Sequence, residues 1–155
     1  MIAASLVALV ACVGHVRSYP LYPNPQLRRE AATVARLTGI VATVDGVDVA
    51  SHGDTFDLAS GCHVVTLPRT LGQGGEHEPW SVDVPRLVFA FRMVGGHTYA
   101  IEHQVHMGSD RIGSVTVSAT ERDGSGATIA TVAPSRGAED IQSCKQWDPS
   151  QQATP

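Results

Sequence analysis

The sequence predicts an all-β protein, an antiparallel β-sandwich of about seven short strands that follows one short helix and an N-terminal signal segment. Three observations carry this prediction. Apolar and polar residues alternate along several short stretches, which is the period of a half-buried strand. Turns rich in glycine, serine and aspartate separate these stretches. Hydrophobic residues make up 43% of the 155 residues, which is sufficient for one domain with its own core.

The first residues are typical of an export signal. Residues 2–11, IAASLVALVA, carry no charge and are too short to cross a bilayer as a helix. Leu9-Val10-Ala11-Cys12 resembles the lipobox of bacterial lipoproteins. That resemblance implies a lipoprotein-type signal peptide over 1–11 and acylation of Cys12, and Val13 after it implies the outer membrane. The alternatives are a plain cleaved secretory signal and a buried first strand or helix that holds Cys12 in the core.

The chain has three cysteines, Cys12, Cys62 and Cys144. If Cys12 carries lipid, the other two form an even pair, and we predict a Cys62–Cys144 disulfide in an oxidising compartment. The alternative is two unconnected thiols, one buried and one near the C-terminus. The spacing does not match a zinc site, because it contains no Cys-x-x-Cys.

Residues 12–25 are predicted to form a proline-rich tether. The stretch SYPLYPNP (18–25) is typical of an extended spacer, and it suits equally a strap that lies against the fold. Residues 26–37 predict a short helix, because four apolar side chains recur at helical spacing and a glycine follows. These side chains are Leu27, Ala31, Val34 and Leu37.

Residues 26–148 are predicted to form a single β-sandwich domain, and most of it consists of strands. Predicted strands cover 38–44, 54–58, 62–67, 86–94, 97–107, 111–121 and 127–133. Asp45-Gly46 is a strong hairpin turn. In the strand over 86–94, one face carries Leu87, Phe89, Phe91 and Met93. The pattern is typical of a sandwich or a closed antiparallel sheet, and of the two we predict the sandwich. Residues 70–79 predict a mobile loop, and 149–155 predict a disordered tail.

One segment resembles a known family. Residues 44–67, VDGVDVASHGDTFDLASGCHVVTL, combine an aspartate-glycine turn, a strand, a glycine step and an apolar strand. This layout is similar to that of PEGA-like and carboxypeptidase-regulatory-like β-sandwiches and of small uncharacterised bacterial envelope lipoproteins, although the Pro-Glu-Gly-Ala signature is absent. The resemblance implies an accessory or binding module of the cell envelope and not an enzyme.

Histidine is the residue type that best supports a catalytic alternative. The chain has seven histidines, and His63, His103 and His106 are weak metal-ligand candidates. Strand geometry opposes a shared site, because His103 and His106 point to opposite faces of a regular strand. The sequence contains no hydrolase elbow, no phosphate-binding loop and no His-Glu-x-x-His, so it predicts neither a catalytic residue nor a cofactor. A metal-dependent hydrolase using the strand histidines is the alternative function.

Charge narrows the function further. The net charge is −4 and charged residues make up 17%, which opposes nucleic-acid binding.

Together, the lipobox-like run, the proline-rich spacer and the strand pattern predict a lipid-anchored envelope protein with a structural or binding role, located at the outer membrane and facing the periplasm. Its predicted partners are membrane lipid, through acylated Cys12, and an envelope protein.

Overall fold

The computed structural model describes residues 17–23, 31–73, 80–108 and 112–148, and these residues are predominantly β. The strands are β1 (Tyr19–Pro20), β2 (Val34–Thr38), β3 (Thr43–Val44), β4 (Val47–Asp48), β5 (Thr55–Ala59), β6 (Gly61–Thr66), β7 (Thr70–Gln73), β8 (Trp80–Asp83), β9 (Val88–Met93), β10 (Thr98–Met107), β11 (Ile112–Arg122) and β12 (Thr128–Val132). A 3-10 turn (Ala31–Thr33) precedes β2, and the helix α1 (Ala138–Lys145) follows β12. The predicted signal over 1–11, Cys12 and the tail over 149–155 lie outside the described residues.

The strands form three sheets. A six-stranded sheet has the order β1-β5-β2-β10-β11-β12, a four-stranded sheet has the order β4-β3-β6-β9, and β7 pairs with β8. Most pairs are antiparallel, as predicted, but β1–β5 and β2–β10 are parallel. The β7–β8 pair corrects the first part of the loop predicted over 70–79, because Thr70–Gln73 form a strand, whereas residues 74–79 lie outside the described residues.

One core contains side chains from both larger sheets. Phe89, Phe91 and Met93 of β9 are buried, as their alternation predicts. Across from them, the ring of Tyr99 in β10 contacts that of Phe91 with centroids 5.6 Å apart. The other large side chains that are fully buried are Phe56, Leu37, Leu58, Leu71, Val49 and Val65.

The predicted helix over 26–37 is wrong from Val34 onward; Ala31–Thr33 form only a 3-10 turn, and residues 26–30 lie outside the described residues. Residues Val34–Thr38 form β2, which lies between β5 and β10 and hydrogen-bonds to both. Arg36 stands opposite Asp57 of β5, and its Nε lies 3.1 Å from the Asp57 carboxylate. Backbone pairing on both edges outweighs a helical preference that amounts to tenths of a kcal/mol per residue. No helix in the described ranges is long and apolar enough to cross a membrane.

The described part of the predicted tether lies against the six-stranded sheet. β1 pairs in parallel with β5, and the Leu21 amide donates to the Asp57 carbonyl at 2.8 Å. The Ser18 hydroxyl donates to the Asp57 carboxylate, and the Tyr19 ring contacts His52 edge-on. The alternatives for this segment were an extended spacer and a strap that lies against the fold. Residues 17–23 form the strap.

Candidate functional site

A disulfide fixes α1 to the four-stranded sheet. Cys62 of β6 and Cys144 of α1 are joined, with Cα atoms 5.4 Å apart, and this confirms the predicted pair. Cys144 is buried, at 2% exposure. On the neighbouring strand β9, Arg92 Nη2 donates to the Ser143 hydroxyl at 2.6 Å. The helix is thus held to β6 by a covalent bond and to β9 by a hydrogen bond.

A cavity of about 340 Å³ opens beside this helix. It lies between α1, the segment after β12, and strands β9, β10 and β11. Its polar lining residues are Arg92, Tyr99, Glu121, Ser135, Asp140 and Ser143. The lining therefore offers a guanidinium, two carboxylates and three hydroxyls to one open pocket.

Glu121 and Tyr99 are hydrogen-bonded to each other in the cavity wall. The two residues stand opposite each other in the β10–β11 pair, and the Tyr99 hydroxyl donates to Glu121 Oε1 at 2.7 Å. The same hydroxyl accepts from the Val94 amide at 3.0 Å. Burial raises the pKa of Tyr99, and the hydrogen bond to the Glu121 carboxylate raises it further. Tyr99 thus stays neutral and acts as a fixed donor to Glu121.

His97 completes this cluster from the turn before β10. Its Nδ1 lies 2.8 Å from Glu121 Oε1, so the same oxygen accepts from both the tyrosine and the histidine. Two hydrogen bonds to the same oxygen, one from His97 and one from Tyr99, hold the Glu121 carboxylate in place.

His63 is engaged in a different pair, at the β3–β4 turn. Its Nδ1 lies 2.7 Å from Asp45 Oδ2, and its Nε2 lies 2.8 Å from the Ala59 carbonyl oxygen. Burial opposes the charged ring, but the hydrogen bonds to Asp45 and Ala59 outweigh burial and raise the pKa of His63. Burial also opposes the charged form of Asp45, and the hydrogen bonds from His63 and the Val64 amide leave its pKa lowered.

The other two predicted metal candidates lie on the distal part of the β10–β11 hairpin. His103 is exposed and stands opposite Val117, whereas His106 stands opposite Ser114 and its Nε2 lies 3.2 Å from the Thr116 hydroxyl. His63 lies on β6 in the four-stranded sheet, beside the β3–β4 turn, so the structure does not bring the three candidates together. Within the described ranges, no three or more His, Cys, Asp or Glu side chains are placed to hold a metal ion.

The cluster of His97, Tyr99 and Glu121 is absent from the predicted site residues. Glu121 follows His97 by 24 positions, and only the β10–β11 register brings them together. The available signal was the turn chemistry of residues 122–126 between β11 and β12 and the Gly95-Gly96 turn before β10, which together fix where each strand ends.

No protein-family model, no curated protein and no solved structure matches the chain. The resemblance of residues 44–67 to PEGA-like modules therefore stays a prediction.

Proposed function

We propose that the chain is an exported protein, anchored to a bacterial envelope membrane through acylated Cys12, with a structural or binding role and no catalytic one. The observation that carries this proposal is the Cys62–Cys144 disulfide. Disulfides persist in the periplasm and other oxidising compartments and are rare in the bacterial cytosol. The disulfide between β6 and α1 therefore favours export.

The same disulfide supports the role of Cys12. It uses two of the three cysteines and leaves one, which stands at the end of the apolar run SLVALVA. A single acyl chain holds a protein only marginally at a membrane, whereas two or more hold it stably, as in the lipoproteins that this run resembles. Val13 after the cysteine favours the outer membrane, with the domain facing the periplasm.

We propose further that the six-stranded and four-stranded sheets are the two layers of a β-sandwich, with β7–β8 as an addition. The shared core supports this arrangement, because Phe91 and Tyr99 meet in it from different sheets. PEGA-like modules, which residues 44–67 resemble, are accessory domains, and an accessory role needs a surface that recognises a partner or a ligand.

The cavity beside α1 is the proposed binding site. Its volume of about 340 Å³ suits a small molecule, and small-molecule sites are concave with a few convergent polar groups. Because Arg92 lies with Glu121 and Asp140 in its lining, the cavity matches a ligand that carries both acceptor and donor groups. An envelope protein remains the proposed macromolecular partner.

Mass and fractionation of the protein from its native host test the anchor. We expect a mature chain that begins at Cys12 with added acyl mass, and a Cys12→Ser variant that leaves the membrane fraction. The matched control is the double variant Cys62→Ser/Cys144→Ser, which should stay in the membrane fraction. A mature chain that keeps Met1, or one that begins elsewhere without acyl mass, contradicts the anchor.

Native mass spectrometry of the same preparation tests the binding site. We expect a bound small molecule in the wild type and its loss in Ala133→Trp, because Ala133 lines the cavity. The control is Ala130→Trp on the exposed surface of β12. A wild-type protein without bound mass, or equal binding in Ala133→Trp, contradicts the cavity as the site.

A further inference from the structure

His63 lies between two hydrogen-bond acceptors. One is the Asp45 carboxylate at 2.7 Å from Nδ1, and the other is the Ala59 carbonyl oxygen at 2.8 Å from Nε2. A neutral imidazole has one N–H and can donate to one of them, whereas an imidazolium has two and can donate to both. Both distances are those of hydrogen bonds, so the arrangement requires a proton on each ring nitrogen.

We propose that His63 is a proton-operated clamp: its doubly protonated ring ties the β3–β4 hairpin, through Asp45, to β6 and to the end of β5, and loss of one ring proton removes the ring's positive charge and one of the two hydrogen bonds, which loosens that hairpin. The clamp is independent of the cavity beside α1 and of the proposed anchor.

The hairpin depends on Asp45 for its attachment. Asp45 and Gly46 form the predicted two-residue turn, with φ of 51° and 82°, as a tight hairpin turn requires. The Asp45 amide donates to the Val64 carbonyl at 2.8 Å, and the Val64 amide donates back to Asp45 Oδ1 at 2.8 Å. The second carboxylate oxygen is the one that His63 holds.

Release of the hairpin would open an edge of the sheet. β3 pairs with β6 through two residues, Thr43 opposite Thr66 and Val44 opposite Val65. The Ala42 amide also donates to the Thr66 carbonyl at 2.9 Å and Val44 is buried in the core, so the Asp45 contacts add to this attachment at the turn end of the hairpin. A loosened hairpin would expose the backbone of β6, and an exposed strand edge is a template for pairing with another chain.

The charged groups around His63 explain why the clamp holds at low pH and is lost at high pH. Asp45 faces His63 from the β3–β4 turn, and Lys145 of α1 acts on the Asp45 carboxylate. From β9, the residue opposite His63 is the uncharged Phe91. Because the pKa of His63 is raised on folding, its contribution to stability is complete below about pH 6.5 and is lost as the pH rises through the folded pKa.

Two measurements on the intact protein test the clamp. Nitrogen-15 NMR of the imidazole should show both His63 nitrogens protonated at pH 6.5, with half-deprotonation at a higher pH. Amide hydrogen exchange, corrected for the intrinsic rate at each pH, should show the protection of the Asp45 and Val64 amides falling roughly tenfold or more as His63 deprotonates. A ring that is neutral at pH 6.5, or protection that stays constant through deprotonation, overturns the proposal.

The variant Asp45→Asn gives a sharper test. The Asn oxygen can still accept from the Val64 amide, and its NH2 can donate to Nδ1 of a neutral His63 that keeps its Nε2–H on Ala59. We expect the pKa of His63 to fall by about one unit or more and the pH dependence of protection to disappear.

The control is Asp48→Asn, which makes the same charge change on the same hairpin, where Asp48 accepts from the Ala50 amide. It should leave the His63 titration in place. A His63 titration that is unchanged in Asp45→Asn, or equally shifted in Asp48→Asn, contradicts the clamp. The wild-type measurements decide the matter if Asp45→Asn does not fold.

Discussion

Removing the Cys62–Cys144 disulfide should lower the free energy of unfolding by about 4 kcal/mol. The bridge joins residues 82 positions apart, and loop-closure entropy for a loop of this length gives about 15 cal/mol/K, or about 4.5 kcal/mol at 25 °C. Little else holds α1, because the Arg92–Ser143 hydrogen bond is exposed and an eight-residue helix is not stable alone. We therefore expect the melting temperature to fall by about 10–15 °C.

The assay is urea unfolding followed by far-UV circular dichroism. The Cys62→Ala/Cys144→Ala variant is compared with its parent, both carrying Cys12→Ser so that the parent has no free thiol. Reductant should bring the parent to the level of the variant and leave the variant unchanged. A loss below about 1 kcal/mol would refute the reasoning, because the cross-link would then restrict the unfolded chain far less than its loop length requires.

Two further substitutions test close packing and polar satisfaction in the core. A Cβ at Gly95 would lie 2.6 Å from the Ala32 carbonyl oxygen, so Gly95→Ala should lower the free energy of unfolding by about 1–3 kcal/mol in the same urea assay. A Cβ at Gly137 would meet open space, so the control Gly137→Ala should change that free energy by no more than about 0.5 kcal/mol. Tyr99→Phe leaves the Val94 amide without its acceptor and should cost about 1–3 kcal/mol, while Tyr19→Phe on the exposed strap should cost almost nothing; equal effects within either pair would contradict these assignments.

Strand alternation predicted the β strands from β5 onward, apart from β7 and β8. In β9 the alternation of Phe89, Phe91 and Met93 with Ala90 and Arg92 is unambiguous, and the buried face follows it. Such a stretch has one apolar face under any register, so local sequence suffices to place it.

Shorter elements depend on contacts that local sequence does not contain. Val34–Thr38 fits helical and strand spacing equally, and its two neighbouring strands, β5 and β10, decide between them. The helix lies instead at Ala138–Lys145, where Glu139 and Asp140 occupy the first turn and Lys145 the last, a charge order that favours a helix. This helix has few apolar side chains, so a search for apolar residues at helical spacing does not find it.

The paired side chains were the least predictable feature. The sequence predicted Asp45 as a turn residue and His63 as a strand residue. Only the β3–β6 register brings the two together. The disulfide was predictable, because counting cysteines requires no geometry.

If Cys12 carries lipid, the strap formed by residues 17–23 also limits how far the domain can lie from a bilayer. β1 begins at Tyr19, and Ser18 is already bonded to Asp57 of β5. From Cys12 to Ser18 an extended chain covers at most about 20 Å. A protein attached to lipid at Cys12 would therefore lie close to the lipid headgroups. The edge of the six-stranded sheet formed by β1 and β5 would face them. Such a protein would meet partners that lie at the membrane surface.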